Sequence, residues 1–149
     1  MDYETVANAL AAAATTCTYE DPDGNLTRQL PADGFARELI DPPRFEVGEV
    51  EIGPDASFGG PGNRVQEVVF TTRIYTGRAS DAGPAHRLLR HFLADVGPGS
   101  IKAALEADRT LGGVVDALLV GRRYGYGVYE VAGTDYYGAR IEVRVWGRG

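Results

Sequence analysis

Along the last strand-like segment of the chain, Tyr137, Ala139, Ile141, Val143 and Val145 fall on one parity and Tyr136, Arg140, Glu142, Arg144 and Trp146 on the other. A period of two with one apolar side predicts a β-strand that buries one sheet face. Tyr126 to Ala132 predicts a second strand, joined to the last by a Gly133-Thr134-Asp135 hairpin loop. Val114 to Val120 predicts a third, launched from the Gly112-Gly113 pair.

Earlier in the chain the period changes. Asp2 reads as an N-cap, and Val6, Ala9, Leu10, Ala13 and Cys17 recur at helical spacing, so an amphipathic helix ending near Thr15 or Thr16 is expected. From Glu20 to Pro43 turn residues dominate, with Asp21-Pro22-Asp23-Gly24-Asn25 and Asp41-Pro42-Pro43 as the strongest signals. A short hairpin about Asp23-Gly24 would use Cys17 to Glu20 and Leu26 to Leu30 as its arms.

Phe45 to Ile52 reads as a strand with Glu46, Glu49 and Glu51 on its solvent side, and Val65 to Thr76 as its long antiparallel partner. Between them the segment 53–64 lacks periodicity, a length that in a compact domain means function or disorder, and on the functional reading Pro54, Asp55, Phe58 and Asn63 are candidate contact residues. Ser80 or Asp81 then caps a helix with the apolar stripe Leu88, Leu89, Phe92, Leu93 and Val96, and Gly97 closes it. Ser100 starts a short helix that turns Ile101, Ala104 and Leu105 inward. Few helices and runs of strands on short turns predict an α+β fold: a mostly antiparallel sheet with helices packed on one face, in a single domain over 1–149.

Composition narrows the chemistry. With 21 acidic and 15 basic residues the net charge is −6, which argues against coating nucleic acid, because that needs clustered cations. The lone Cys17 forms no internal disulfide and is expected to be structural. Ala9 to Ala14 is too short to span a bilayer, so no membrane partner is expected. His86 and His91 stand five apart on one helix, so their rings diverge and no metal site is expected from them. Gly97-Pro98-Gly99-Ser100-Ile101-Lys102 lacks the spacing of a phosphate-binding loop, and Gly121, Gly125 and Gly127 precede a strand rather than a helix. No catalytic residue and no cofactor is expected; the one enzymatic alternative would gather Asp116, Glu130 and Asp135 in a pocket.

Tyrosines crowd the last third of the chain. Tyr124, Tyr126, Tyr136 and Trp146 are interface candidates, since aromatics carry much of the energy of protein contacts. The parity assignment sets Tyr136 and Trp146 opposite the core face, exposed unless a helix or another subunit covers them.

The run from Gly97 to Glu106, Leu111-Gly112-Gly113-Val114-Val115-Asp116 and Gly125-Tyr126-Gly127-Val128-Tyr129-Glu130 resembles the C-terminal half of tail terminator proteins of long-tailed, siphovirus-type actinobacterial phages. Phe45 to Glu49 and Val68 to Gly77 resemble their middle. The resemblance implies a structural subunit of a hexameric ring at the tail-neck junction of the virion, assembled in the host cytoplasm. Its partners would be further copies of itself, the tail tube protein and a neck or head-completion protein, with DNA only as passing cargo. A head-tail connector, stopper or other neck protein is the alternative the resemblance leaves open.

Overall fold

The computed structural model describes residues 1–20, 26–37, 40–57 and 64–148. Helix α1 (Tyr3–Ala14) starts where Asp2 accepts a hydrogen bond from the Glu4 N–H at 3.1 Å. An acceptor at that position satisfies one of the orphan amides of the first turn. It buries Val6, Ala7, Leu10, Ala11 and Ala14, so its inward stripe is rotated from the predicted one, leaving Ala9 and Ala13 only half-buried. Cys17 follows in the core, its thiol 3.5 Å from the Ser100 carbonyl.

Strands β1 (Thr18–Glu20) and β2 (Thr27–Gln29) pair antiparallel, with Tyr19 opposite Arg28. These are the arms of the expected hairpin; its Asp23-Gly24 turn lies outside the described residues. Strands β3 (Ala32–Asp33), β4 (Arg44–Ser57), β5 (Arg64–Arg78), β6 (Ala117–Val131) and β7 (Thr134–Arg148) form the main sheet in the order β3-β4-β5-β7-β6. All its neighbours are antiparallel except β3 and β4. The expected α+β class, with a mostly antiparallel sheet, is what the chain adopts.

A 3-10 turn (Ala79–Asp81) leads into α2 (Ala82–Leu93), and Ser100 caps α3 (Ile101–Glu106) by accepting from the Ala103 N–H at 3.0 Å. The three helices meet the sheet face carrying Phe45, Val47, Val68, Phe70, Ile74, Leu118, Val120, Ala139, Ile141, Val143 and Val145 in one apolar cluster. The β7 parity is therefore as the alternation predicts. Full burial of each such aliphatic side chain contributes roughly 1.5–3 kcal/mol.

Four expectations need correcting. The two predicted strands 114–120 and 126–132 are one strand, β6, because Gly121-Arg122 and Gly125-Tyr126 are absorbed as irregularities opposite β7 rather than as a turn. The hairpin loop is not Gly133-Thr134-Asp135: Val131 pairs with Thr134, leaving Ala132 and Gly133 as a two-residue turn with φ of 50° and 82°. Positive φ at both positions is the mirror-image turn whose twist suits a hairpin. Strand β4 continues through Ser57 into the stretch read as a loop, and an irregularity between Val47 and Val50 shifts its parity. Glu46, on the face of its partner Arg73, is nonetheless buried at 1% exposure, while Val50 and Ile52, which the irregularity turns to the side of Phe70 and Val68, stay exposed near the sheet's edge. Finally, Val96 lies outside α2 and is 78% exposed. The helix stops at Leu93 because Ala94 turns extended and its carbonyl accepts from the Ser100 hydroxyl at 2.6 Å instead.

Candidate functional site

The alternation of β7 gives the sheet a second face, away from the helices. On it stand Glu67, Arg73 and Tyr75 of β5, Tyr136, Arg140, Glu142, Arg144 and Trp146 of β7, and Leu119, Arg122, Tyr124 and Tyr129 of β6. The two ends of this face are built differently.

At one end the chain covers its own sheet. Ile40 packs on Tyr75 and Tyr136 in a small second core, with Tyr129 and Val131 at its margin. The Tyr75 ring meets both Tyr129 and Tyr136 edge-on at 6.1 Å between centroids, the arrangement that ring quadrupoles favour. Tyr136 donates its hydroxyl to the Ile40 carbonyl at 3.2 Å and is 5% exposed. Tyr136 is thus a packing residue and not the interface aromatic its parity predicted: the Ile40 segment supplies the cover.

Glu46 is buried beside this cluster, accepting from the Arg37 backbone N–H at 3.1 Å. Burial raises its pKa above the ordinary carboxylate value, opposed by the Arg37 N–H and by the positive charge of Arg73. The Tyr75 hydroxyl is likewise pushed up, by burial first and then by the Glu46 charge. Arg73 and Arg140 stand directly opposite each other in the ladder, a repulsive placement for like charges. Arg73 is held by Glu49 at 2.6 Å, and the Arg140 guanidinium lies 5.3 Å from the centre of the Tyr129 ring.

At the other end the face is open. Glu67, Arg144, Glu142 and Arg122 form a chain of ion pairs, with separations of 3.6, 3.3 and 3.1 Å along it. Trp146, half-exposed, shares a shallow depression with Leu119, Gly121, Arg122, Glu142 and Arg144. Tyr124 is half-buried under the Arg122 guanidinium, which lies 4.3 Å from its ring centre. Solvent-exposed ion pairs hold little folding energy, roughly 0–1 kcal/mol each. This end of the face is therefore free to exchange partners at small cost to the fold.

Tyr126 belongs to the opposite side of β6. It stacks on His86 of α2 at 5.2 Å, and His86 also meets Tyr137 at 4.4 Å. Tyr126 is 45% exposed and its neighbour Val128 52%. His91 faces elsewhere: its Nε2 donates to the Thr18 carbonyl at 2.8 Å and ties α2 to β1. The two histidines do not converge.

The candidate contact residues are thus divided. Trp146 and Tyr124 share the open end of the second face, Tyr126 lies on the helix side, and Tyr136 is internal. Pro54 and Asp55 sit within β4, at an irregularity of its pairing with β5, and Phe58 and Asn63 lie outside the described residues. Sequence reasoning missed Leu119 and Arg122 as companions of Trp146. Arg122 falls inside the first irregularity of β6, where alternation breaks; Leu119 keeps the parity of Tyr129 because the two shifts cancel, a link hidden when 114–120 and 126–132 are read as separate strands.

The carboxylates of the enzymatic alternative are not gathered. Glu130 and Asp135 pair beside the hairpin turn, whereas Asp116 lies next to Trp146 at the far end of the same strands. Among the described residues no group of three or more His, Cys, Asp or Glu side chains is placed to hold a metal ion. A wide groove between β1, β2 and α2 is lined by Thr18, Glu20, Arg78, Arg87 and His91 among others. No helix among the described residues is long and apolar enough to cross a membrane. No protein-family model and no curated protein matches the chain.

Proposed function

We propose that this chain is a tail terminator: a structural subunit that forms a hexameric ring at the head-proximal end of a siphovirus-type tail tube and joins it to the neck. The observation that carries the reading is the one-sided sheet. Helices cover one face, while half of the other presents Trp146, Leu119 and an ion-pair chain, materials suited to contacts between subunits. The resemblance of Gly97 to Glu106 and of Leu111 to Glu130 to tail terminators supplies the particular ring.

A ring of identical subunits needs two different surfaces that meet head to tail. Hairpins β4–β5 and β6–β7 extend to opposite ends of the sheet, since Val65 pairs with Arg148 and Arg78 with Tyr136. One end can then meet the tube protein and the other the neck. The net charge of −6 suits a channel through which DNA passes without adhering.

Cryo-electron microscopy of particles carrying a tagged copy of this chain tests the reading. The expected result is a sixfold ring between tube and neck. Density one ring closer to the capsid would make the chain a connector or stopper, and absence from the junction would overturn the assignment.

A further inference from the structure

The two outer strands of the main sheet, β6 and β4, are long, and each is open along part of its length. Among the described residues nothing pairs with the outer edge of β6 as a strand, although Glu106 of α3 accepts from the Val120 N–H at 3.1 Å and so blunts that edge above Gly121. The open run of β6 is therefore 121–131. On β4, β3 pairs only with Phe45 and Glu46, leaving 47–57 open among the described residues. Unpaired backbone along a strand is a template for another strand, and proteins that must stay apart cover it.

The two open runs complement each other. Across the sheet, β4 and β5 are antiparallel, as are β5 and β7, and β7 and β6, so β4 and β6 run in opposite directions. Placed side by side around an axis to which the strands are tilted, the β6 edge of one copy meets the β4 edge of the next as an antiparallel pair. Exposed charges oppose as well: β4 brings Glu49, held by Arg73, and β6 brings Arg122, held by Glu142, whereas Arg123 is engaged with Asp95 at 2.6 Å. The Glu49 side chain is 72% exposed and that of Arg122 70% exposed, so both are accessible at their edges.

We infer that the open edge of β6 receives the open edge of β4 from a second copy of this chain, extending the sheet from subunit to subunit. This rests on the ring reading and names the surface that builds it. The contact is heterologous, so it closes a ring when the rotation between copies closes. Glu106 guards the upper part of β6 and β3 the lower part of β4, which displaces the paired copies along the strands. Such a stagger is what tilted strands require in any sheet that closes on itself.

The hairpin geometry selects the test. A two-residue turn makes Val131 and Thr134 a hydrogen-bonded pair, and alternation then points the Val128 and Glu130 N–H groups away from β7. Val128→Pro removes one outward donor at no cost to the β6–β7 ladder, and Val128→Lys places a charge on the same edge. The purified chain is followed by light scattering over a concentration series, with hydrogen exchange read on the 47–57 and 121–131 peptides.

Assembly with concentration-dependent protection of both peptides is expected, and each variant should weaken it at least about tenfold while melting near the wild type. A chain that stays monomeric up to about 1 mM, protection of the β6 peptide alone, or variants that assemble like the wild type would overturn the pairing. A sixfold ring in particles that Val128→Pro and Val128→Lys leave intact would sink the edge contact and spare the terminator reading. Edge-paired oligomers of a protein absent from the tail would do the reverse.

Discussion

Tyr136 of β7 donates its hydroxyl to the Ile40 carbonyl at 3.2 Å, so a residue from the first third of the chain closes the sheet face that β7 alone would leave bare. Removing only the hydroxyl should cost about 1 kcal/mol, the net worth of one hydrogen bond with its acceptor left buried. Tyr136→Ala should cost roughly 3–5 kcal/mol, because the Tyr75 ring loses its edge-on neighbour and a cavity opens. Thermal melts of Tyr136→Phe and Tyr136→Ala check this; two near-neutral variants would mean that the Ile40 cover is not formed in solution.

Trp146 should behave in the opposite way. Half-exposed in a shallow depression, it is expected to tolerate Trp146→Ala with a small change in melting temperature while ring formation falls. A large loss of stability with assembly unchanged would place its ring in the core.

The buried Glu46 gives stability a pH dependence with a definite sign. Its folded pKa lies above the unfolded value near 4.5, so the folded state holds the proton more tightly than the unfolded chain. Its contribution is fully favourable below that value and is lost as pH rises through the raised folded pKa. Glu46→Gln can still accept from Arg37 N–H without burying a charge. The variant should therefore gain stability relative to the wild type as pH is raised from about 4 to 7, measured by denaturant titration at each pH. A difference that shrinks over the same range would contradict the direction.

Ala132 holds φ at 50° in the β6–β7 turn, a region that L residues with a Cβ enter at a cost. Ala132→Gly or Ala132→Asn should stabilise the protein by roughly 0.5–1 kcal/mol, raising the melting temperature by about 1–4 °C. A lower melting temperature for both would show that the turn adopts another form.

Gly99 and His91 form a tight pair. A Cβ on Gly99 would come within 2.0 Å of His91 Nε2, so Gly99→Ala should force the imidazole off the Thr18 carbonyl and cost roughly 1–3 kcal/mol. The His91→Ala background removes the clash, and there the same substitution should be nearly neutral; equal costs in both backgrounds would sever the proposed link.

Cys17 offers a probe of the core. Burial pushes its thiol up to about 11, so it should stay silent to a thiol reagent at pH 8 in the native state and react fully once the chain is unfolded. Fast labelling of the native protein would mean that α1 opens easily.

The sequence alone determined the local elements whose physics is short-range. The Asp2 and Ser100 caps, the apolar parity of β7 and the arms of the β1–β2 hairpin all depend on neighbours within a few residues. Each was therefore legible in the order of residues. Where the pattern failed, a contact from elsewhere in the chain had intervened. The irregularities in β4 and β6 exist only against β5 and β7; they turn Val50 and Ile52 to the side of Phe70 and Val68 and set Arg122 beside Trp146, while Glu46 is buried beneath the Arg37 stretch, whose backbone N–H it accepts. Alternation could name Tyr136 and Trp146 as residues of one face, but not their different fates. That was decided by the tertiary path of the Ile40 segment, which covers Tyr136 and stops short of Trp146, because burial is settled by what packs above a residue and not by which way its strand turns it.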